Sequence, residues 1–318
     1  PGVESNDRDN LINHANIETS SVLQLSSLQG NGEWNILDES IAQLLPIKSG
    51  KIPDLKLSIL GMKDTEIDVE IRLSSKIGNF TPDVSIVKES YKVFTGSNEL
   101  VIGSDYELDV DQYVFFIIHK NTNVKVEYSD IRITGILSVF NTINVAVSNY
   151  GKQEAPDNIG IDSFEFWVPK RRPEGKNLAF SLSEPISGFD LSNLKSLVQR
   201  PTYQTNAWVA SLFDDSPELR IKWDQKQSIH LLKICCDPDW DHPLESVLIN
   251  HPESIIPFCV QDFSIYDDQN NLVFEKQGNY ETVIELNLES PLMSSELVIR
   301  LSKTHENIPV SLFSIQIY

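Results

Sequence analysis

The sequence predicts an all-β chain: two β-sandwiches of jelly-roll type in tandem. Three observations predict it. Apolar residues alternate with polar ones, or run in short β-branched blocks, along most of the chain. Turn residues interrupt these blocks at short intervals, as they do in sandwiches. The length, 318 residues, suits two ordinary domains better than one and can bury a large core without disulfides.

Each element follows from its residues. LKLSIL (55–60), IDVEIRLSS (67–75), ELVIGS (99–104), YVFFIIH (113–119) and VKVEYSDIRITG (124–135) read as strands of a first sandwich from about 16 to 140. SIAQLLPI (40–47) reads as one or two helical turns ended by Pro46. NTINVAVSNYGKQEAPDNIGID (141–162) is polar and turn-rich, a long connection. FEFWVP (164–169) reads as a strand that returns to a sandwich. KRRPEGKN (170–177) is the sharpest boundary signal, which puts an N-terminal domain at 1–172 and a second at 173–318. It is also the densest basic cluster, read either as a docking patch for another domain or as a solvated linker.

The second half repeats the strand pattern. ELRIKW (218–223), IHLLKICCD (229–237), FCVQDFSIYDD (258–268), LVFEKQ (272–277), TVIELNLE (282–289), ELVIRLSKT (296–304) and SLFSIQIY (311–318) are its strands. DDQNN (267–271) is a hairpin turn.

Lys plus Arg is 26 and Asp plus Glu is 46, a formal net charge of −20. An acidic surface repels a nucleic-acid backbone and an anionic membrane, so neither is expected as a partner. A neutral or cationic ligand fits, as does plain solvation of the surface. No apolar run is long enough to span a bilayer, and no signal-peptide pattern opens the chain. The first residue is Pro1, not Met, so the sequence is expected to continue upstream. Cys235 and Cys236 are adjacent, and strand alternation points them to opposite faces. With neither CxxC spacing nor a disulfide framework, they read as buried thiols.

Candidate chemistry concentrates in CCDPDWDHPLESVLINHPESIIPFC (235–259), a connection longer than most in compact domains. Asp241 followed by Pro243 suits a short helix start, with Leu244, Val247 and Leu248 on one face. Three readings stay open. The acids and histidines could be ordinary loop formers. Trp240 could offer its face to a sugar ring while Asp239, Asp241 and His242 bind hydroxyls. Or His242, His251 and nearby carboxylates could hold a metal, although the spacing matches no HxxxH or CxxC pairing. Tyr203, Asn206 and Trp208, in RPTYQTNAW, precede the second sandwich's strands. They are read as a ligand loop, with Trp208 equally well a core plug. Trp34, Trp167 and Trp223 read as core, and His305 as a lone loop histidine. No G-x-S-x-G elbow occurs, and the sequence singles out no catalytic pair of acids.

NAWVAS (206–211), ELRIKWD (218–224) and SIHLLKI (228–234) resemble the galactose-binding-like jelly roll of discoidin and coagulation-factor type C domains. That resemblance implies carbohydrate binding through loops of the second sandwich, and a structural calcium. GEWNILDESIAQLLPI, IGNFTPDV, ITGILSVFN, IGIDSFEFWVPKRRPEGKNLAF, RPTYQTNAWVA and DWDHPLESVLINHPESIIPFCVQDF together look like the C-terminal region of bacterial FAD-dependent oxidoreductases. This second resemblance implies a bacterial source and an ancillary role beside an upstream flavin-binding domain. The chain itself holds no GxGxxG between a strand and a helix. GNG at Gly30–Gly32 runs into EWN, so no cofactor and no catalysis are expected here. The expected function is therefore non-catalytic carbohydrate binding. The alternative is a docking module for the flavin domain. Free thiols suit the cytoplasm and glycan binding suits an extracytoplasmic place, so the compartment stays open.

Overall fold

The computed structural model describes residues 10–77, 82–140, 176–238, 256–302 and 307–318. In chain order the strands are β1 (Asn16–Thr19), β2 (Leu25–Leu28), β3 (Trp34–Leu37), β4 (Ile41–Ile47), β5 (Gly50–Lys51), β6 (Leu55–Gly61) and β7 (Thr65–Leu73). Next are β8 (Val84–Val93), β9 (Gly96–Ile102), β10 (Glu107–Leu108), β11 (Gln112–Ile118), β12 (Asn121–Ser129) and β13 (Leu137–Phe140). The later strands are β14 (Asn177–Leu178), β15 (Phe180–Ile186), β16 (Trp208–Val209), β17 (Glu218–Cys235) and β18 (Phe263–Tyr266). They end with β19 (Leu272–Lys276), β20 (Val283–Leu301), β21 (Ser311–Leu312) and β22 (Ser314–Ile317). Among the described residues only short 3-10 turns interrupt the strands, and no helix is long and apolar enough to cross a membrane. The all-β layered architecture is the one the sequence predicts.

The first body is a pair of facing sheets. One runs β13-β4-β11-β7-β8, and the other β14-β12-β6-β15-β2 with β3 on β12 and β9 on β6. Alternation along β11 shows why it is central. Val114, Phe116 and Ile118 enter the core shared by both sheets. Tyr113, Phe115 and Ile117 enter a smaller cluster with Ala42, Leu44 and Leu137 on the other face. Burying each of these side chains contributes about 1.5–3 kcal/mol.

The helical turns expected at 40–47 are not there. That segment is β4, buried at every position and paired along its length with β11. A strand buried on both faces loses its period of two and cannot be told from a buried helix by pattern. Gln43 inside it is satisfied: Nε2 donates to Leu137 O at 3.0 Å, and Oε1 accepts from Leu178 N at 3.0 Å. Pro46 lies beyond β13, whose pairing reaches only Leu44, so one side of the strand there needs no donor.

The second body is one main sheet, β1-β17-β20-β18-β19, with β22 also on β17 and a small β16–β21 pair beside it. Its core gathers Leu219, Ile221, Ile299, Ile315, Ile317 and Trp208. The pairs of strands expected at 218–223 and 229–237, and at 282–289 and 296–304, are each one continuous strand, β17 and β20. Register shifts between Lys222 and Gln227, and between Ile229 and Leu231, carry them through their polar middles together. Of the strand expected at 258–268, only Phe263–Tyr266 pairs. The 267–271 hairpin turn is as expected: Asp267 Oδ1 accepts from Gln269 N at 2.9 Å and Asn271 N at 2.8 Å, and Asn270 takes φ 61°.

The expected boundary at 172/173 lies outside the described residues. On either side of it the chain crosses between bodies. β1 pairs with β17 of the second sheet, while β14 and β15 pair with β12, β2 and β6 of the first. The junction is packed and polar at once. Phe313, Val209 and Cys235 join the first body's core. The Thr134 hydroxyl donates to Asp237 Oδ2 at 2.8 Å and lies 2.7 Å from Ser311 Oγ. Gly135 takes φ 76° there, and a Cβ would meet Thr205 Cγ2 at 2.5 Å, so the close approach needs glycine.

Cys235 and Cys236 fall on opposite faces, as alternation predicts. Cys235 belongs to the first body's core cluster and Cys236 to the second's, and both are free buried thiols.

Candidate functional site

The second sheet lays one row of side chains across its strands. Register places Glu218 of β17 opposite Arg300 of β20, Arg300 opposite Ser264 of β18, and Ser264 opposite Glu275 of β19. Alternation puts their neighbours Leu219, Ile299, Ile265 and Leu301 into the core, so the row faces outward. The row floors a cleft of about 550 Å³, also lined by Asp262, Lys276, Gln277 and Ser302.

The row is held rigidly. Arg300 Nε donates to Glu218 Oε2 at 2.9 Å, and its guanidinium lies 4.6 Å over the Tyr266 ring. Arg220 NH2 lies 2.7 Å from the other Glu218 oxygen. Burial alone would raise the Glu218 carboxyl, but the hydrogen bond from Arg300 and the charge of Arg220 outweigh it and hold it below the ordinary range. The Glu218 charge in turn raises Arg220. At the far wall, Asp262 Oδ1 accepts from Gly278 N at 2.8 Å. Donors and acceptors therefore alternate along a fixed floor. The net charge of the lining is close to balanced, which suits hydroxyls better than an ion.

Two aromatic residues stand near this cleft. Phe213 is 94% exposed and Tyr280 77%, the highest values among the large hydrophobic side chains of the described residues. Phe213 is three residues from Ser216 and Tyr280 three from Gln277, both lining residues, so each Cα is within about 11 Å of the wall along the chain. An exposed aromatic face beside hydrogen-bonding side chains is a surface on which a sugar ring can stack.

A second, more open cleft of about 790 Å³ lies in the first body, between residues of β8 and β9. Asp54, Glu89, Tyr91, Asp105 and Tyr106 line it. The Tyr91 hydroxyl donates to Glu89 Oε2 at 2.5 Å. Burial, then that bond to a carboxylate, pushes the Tyr91 hydroxyl up to about 12.

Asp239, Trp240, Asp241 and His242 lie outside the described residues, as do His251, Trp167 and His305. Tyr203 is exposed and lines a void of about 10 Å³ with Pro46, Lys48, Asp111 and Gly188, too small for more than a water. Asn206 is buried at φ 57°, and its amide is used up. Nδ2 donates to Arg200 O at 2.9 Å and Thr202 Oγ1 at 2.7 Å, while Oδ1 accepts from Gln204. Trp208 is fully buried, its Nε1 donating to Ser21 O at 3.3 Å. Of its two readings the structure shows the core plug, and it offers no face to a ligand. Trp223 is core as expected, with Nε1 donating to Leu11 O at 2.9 Å. Trp34 is only half-buried.

Among the described residues no three His, Cys, Asp or Glu side chains are arranged to hold a metal ion. The structural calcium implied by the resemblance finds no such set among them.

No protein-family model matches this chain, and no curated protein does. Solved structures similar to it include carbohydrate-binding modules. The family 32 carbohydrate-binding module of Streptococcus pneumoniae EndoD is 11% identical, with TM-score 0.33, over 42% of this chain and 87% of that one. Chitosan-binding module 1 of a Paenibacillus sp. IK-5 chitosanase/glucanase is 10% identical, with TM-score 0.31, over 42% of this chain and 87% of that one. The family 32 module of C. perfringens NanJ, solved with galactose, is 13% identical, with TM-score 0.27, over 35% of this chain and 74% of that one.

Proposed function

We propose that this chain is a non-catalytic carbohydrate-binding protein whose ligand lies in the second body's cleft. The observation that carries the reading is the fixed row Glu218–Arg300–Ser264–Glu275 across four strands, close to exposed Phe213 and Tyr280. Arg300 donates to ring or hydroxyl oxygens. Glu275 and Ser264 accept from and donate to hydroxyls. One aromatic ring covers the apolar face of the sugar. A floor braced by ion pairs loses little freedom on binding, so more of the contact energy appears as affinity.

The test is a glycan array with the whole chain, followed by calorimetric titration of the best hit. Arg300→Ala and Phe213→Ala should each weaken binding about tenfold or more, roughly 1.4 kcal/mol. Undiminished binding by both variants would rule the cleft out.

A second reading concerns context. The sequence blocks that look like the C-terminal region of FAD-dependent oxidoreductases support an ancillary place beside an upstream flavin-binding domain. Co-purification of this chain with a separately expressed flavin domain would support docking. Failure to associate would leave glycan binding standing alone.

A further inference from the structure

We propose that Cys236 and Cys259 form a dithiol that closes into a disulfide, a modification site that ties residue 236 to residue 259 across the segment between them. Both thiols sit in the same apolar cluster of the second body, and both are buried. The same short stretch of backbone positions them. The Cys236 amide donates to Thr282 O at 2.8 Å, and Cys259 Sγ donates to Glu281 O at 3.3 Å. Asn279 braces Cys259 from the other side: its Nδ2 lies 3.5 Å from Cys259 Sγ and donates to Val260 O at 2.8 Å and Glu281 O at 3.0 Å. Glu281 and Thr282 are consecutive, so these two contacts bring both side chains to one point of the chain, and each thiol perturbs the ionisation of the other.

Their environments differ in a way that suits exchange. The hydrogen bond from Cys236 favours the Cys259 thiolate, against the effect of burial. The same bond, and then burial, pushes the Cys236 thiol up. We assign the attack to Cys259 and the resolving step to Cys236, and either order gives the same bridge. Cys235 cannot compete. It faces the opposite side of the sheet, in the other core cluster, where Gln199 Nε2 donates to its sulfur at 3.1 Å.

A small disulfide such as glutathione disulfide supplies the oxidising equivalents. The Cys259 thiolate attacks one of its sulfurs and releases a glutathione thiolate. Cys236 then loses its proton and attacks the Cys259 sulfur of the mixed disulfide, releasing the second glutathione. Two S–H bonds are lost and one S–S bond forms, and two protons and two electrons leave as two molecules of reduced glutathione. Burial makes the first step wait on local opening, so closure is slow.

The experiment incubates the full chain with excess glutathione disulfide, then alkylates it under denaturing conditions and digests it. The expected product is about 2 Da lighter before alkylation, for the two hydrogens lost, and carries one alkylated cysteine, Cys235. Cys235→Ser should close the same bridge, with Cys236 and Cys259 in one linked peptide pair. The thermal midpoint of the oxidised chain should rise by about 5 °C over the reduced one. Three alkylated cysteines, a bridge that includes Cys235, or a glutathione adduct that never resolves would each overturn the proposal.

Discussion

Two charged clusters, one in each body of this chain, are arranged in opposite ways. The first body hides its cluster. Glu70, on β7, is 1% exposed. Arg72 donates to its carboxylate, His119 Nε2 lies 3.3 Å from one oxygen and Lys88 Nζ 3.4 Å from the same oxygen. The second displays charge, as the outward row around Arg300 and Glu218. A buried group must be satisfied inside the fold, so it specifies packing and is closed to ligands. An outward row with register-fixed partners keeps unused hydrogen-bonding capacity, and that capacity is what a ligand needs. The buried cluster is thus a structural device and the outward row a candidate site.

The largest effect expected is in the shared scaffold. Trp208→Ala removes a fully buried indole and should cost about 4 kcal/mol, read by urea unfolding. A cost under about 1 kcal/mol would mean that the ring is not the plug described here.

Next comes the hidden charge. Glu70→Gln should cost about 3 kcal/mol, because Arg72 is left half-buried without its partner. Lys88 stands largely in water, so its share is screened. Burial by itself would raise Glu70, but the Arg72 hydrogen bond and charge, then Lys88 and His119, outweigh it and hold the carboxyl below its ordinary value of 4.5. The folded value is the lower one, so this stabilisation is present above pH 4.5 and is lost as pH falls through the folded value. The gap between the native chain and Glu70→Gln should therefore narrow on acidification below pH 4.5, as unfolding at a series of pH values would show. A gap that stays constant would contradict the ion cluster.

The outward row predicts the reverse pattern. Arg300→Ala should cost about 1 kcal/mol or less in stability, since the ion pair is half in water. Phe213→Ala should change stability by no more than about 0.5 kcal/mol. A larger loss in either variant would mean that the row is structural, like the Glu70 cluster, and would blur the contrast.

Local chemistry was legible in the sequence. The turn at Asp267–Asn271 follows from side chains bonding their own backbone. The opposite facing of Cys235 and Cys236 follows from the strand period. β4 was not legible, because burial on both faces erases its period. The continuity of β17 and β20 was not legible either, because each bulge is defined only against its partner. The cleft was hidden for a related reason. Glu218 and Arg300 are each recognisable as outward residues of alternating strands, but the register that pairs them joins positions 82 residues apart. Phe213 carried a signal that could have been used: an aromatic residue set in the turn SLFDDSPE, followed directly by two aspartates.

Hydrogen-exchange mapping with a bound glycan tests the central claim most directly. With the best array ligand present, protection should gather at 213–220, 262–266, 275–281 and 298–302. Protection confined to the first body's cleft around Tyr91 and Tyr106, or to the 239–255 segment, would contradict the account, as would a chain that retains no glycan at all.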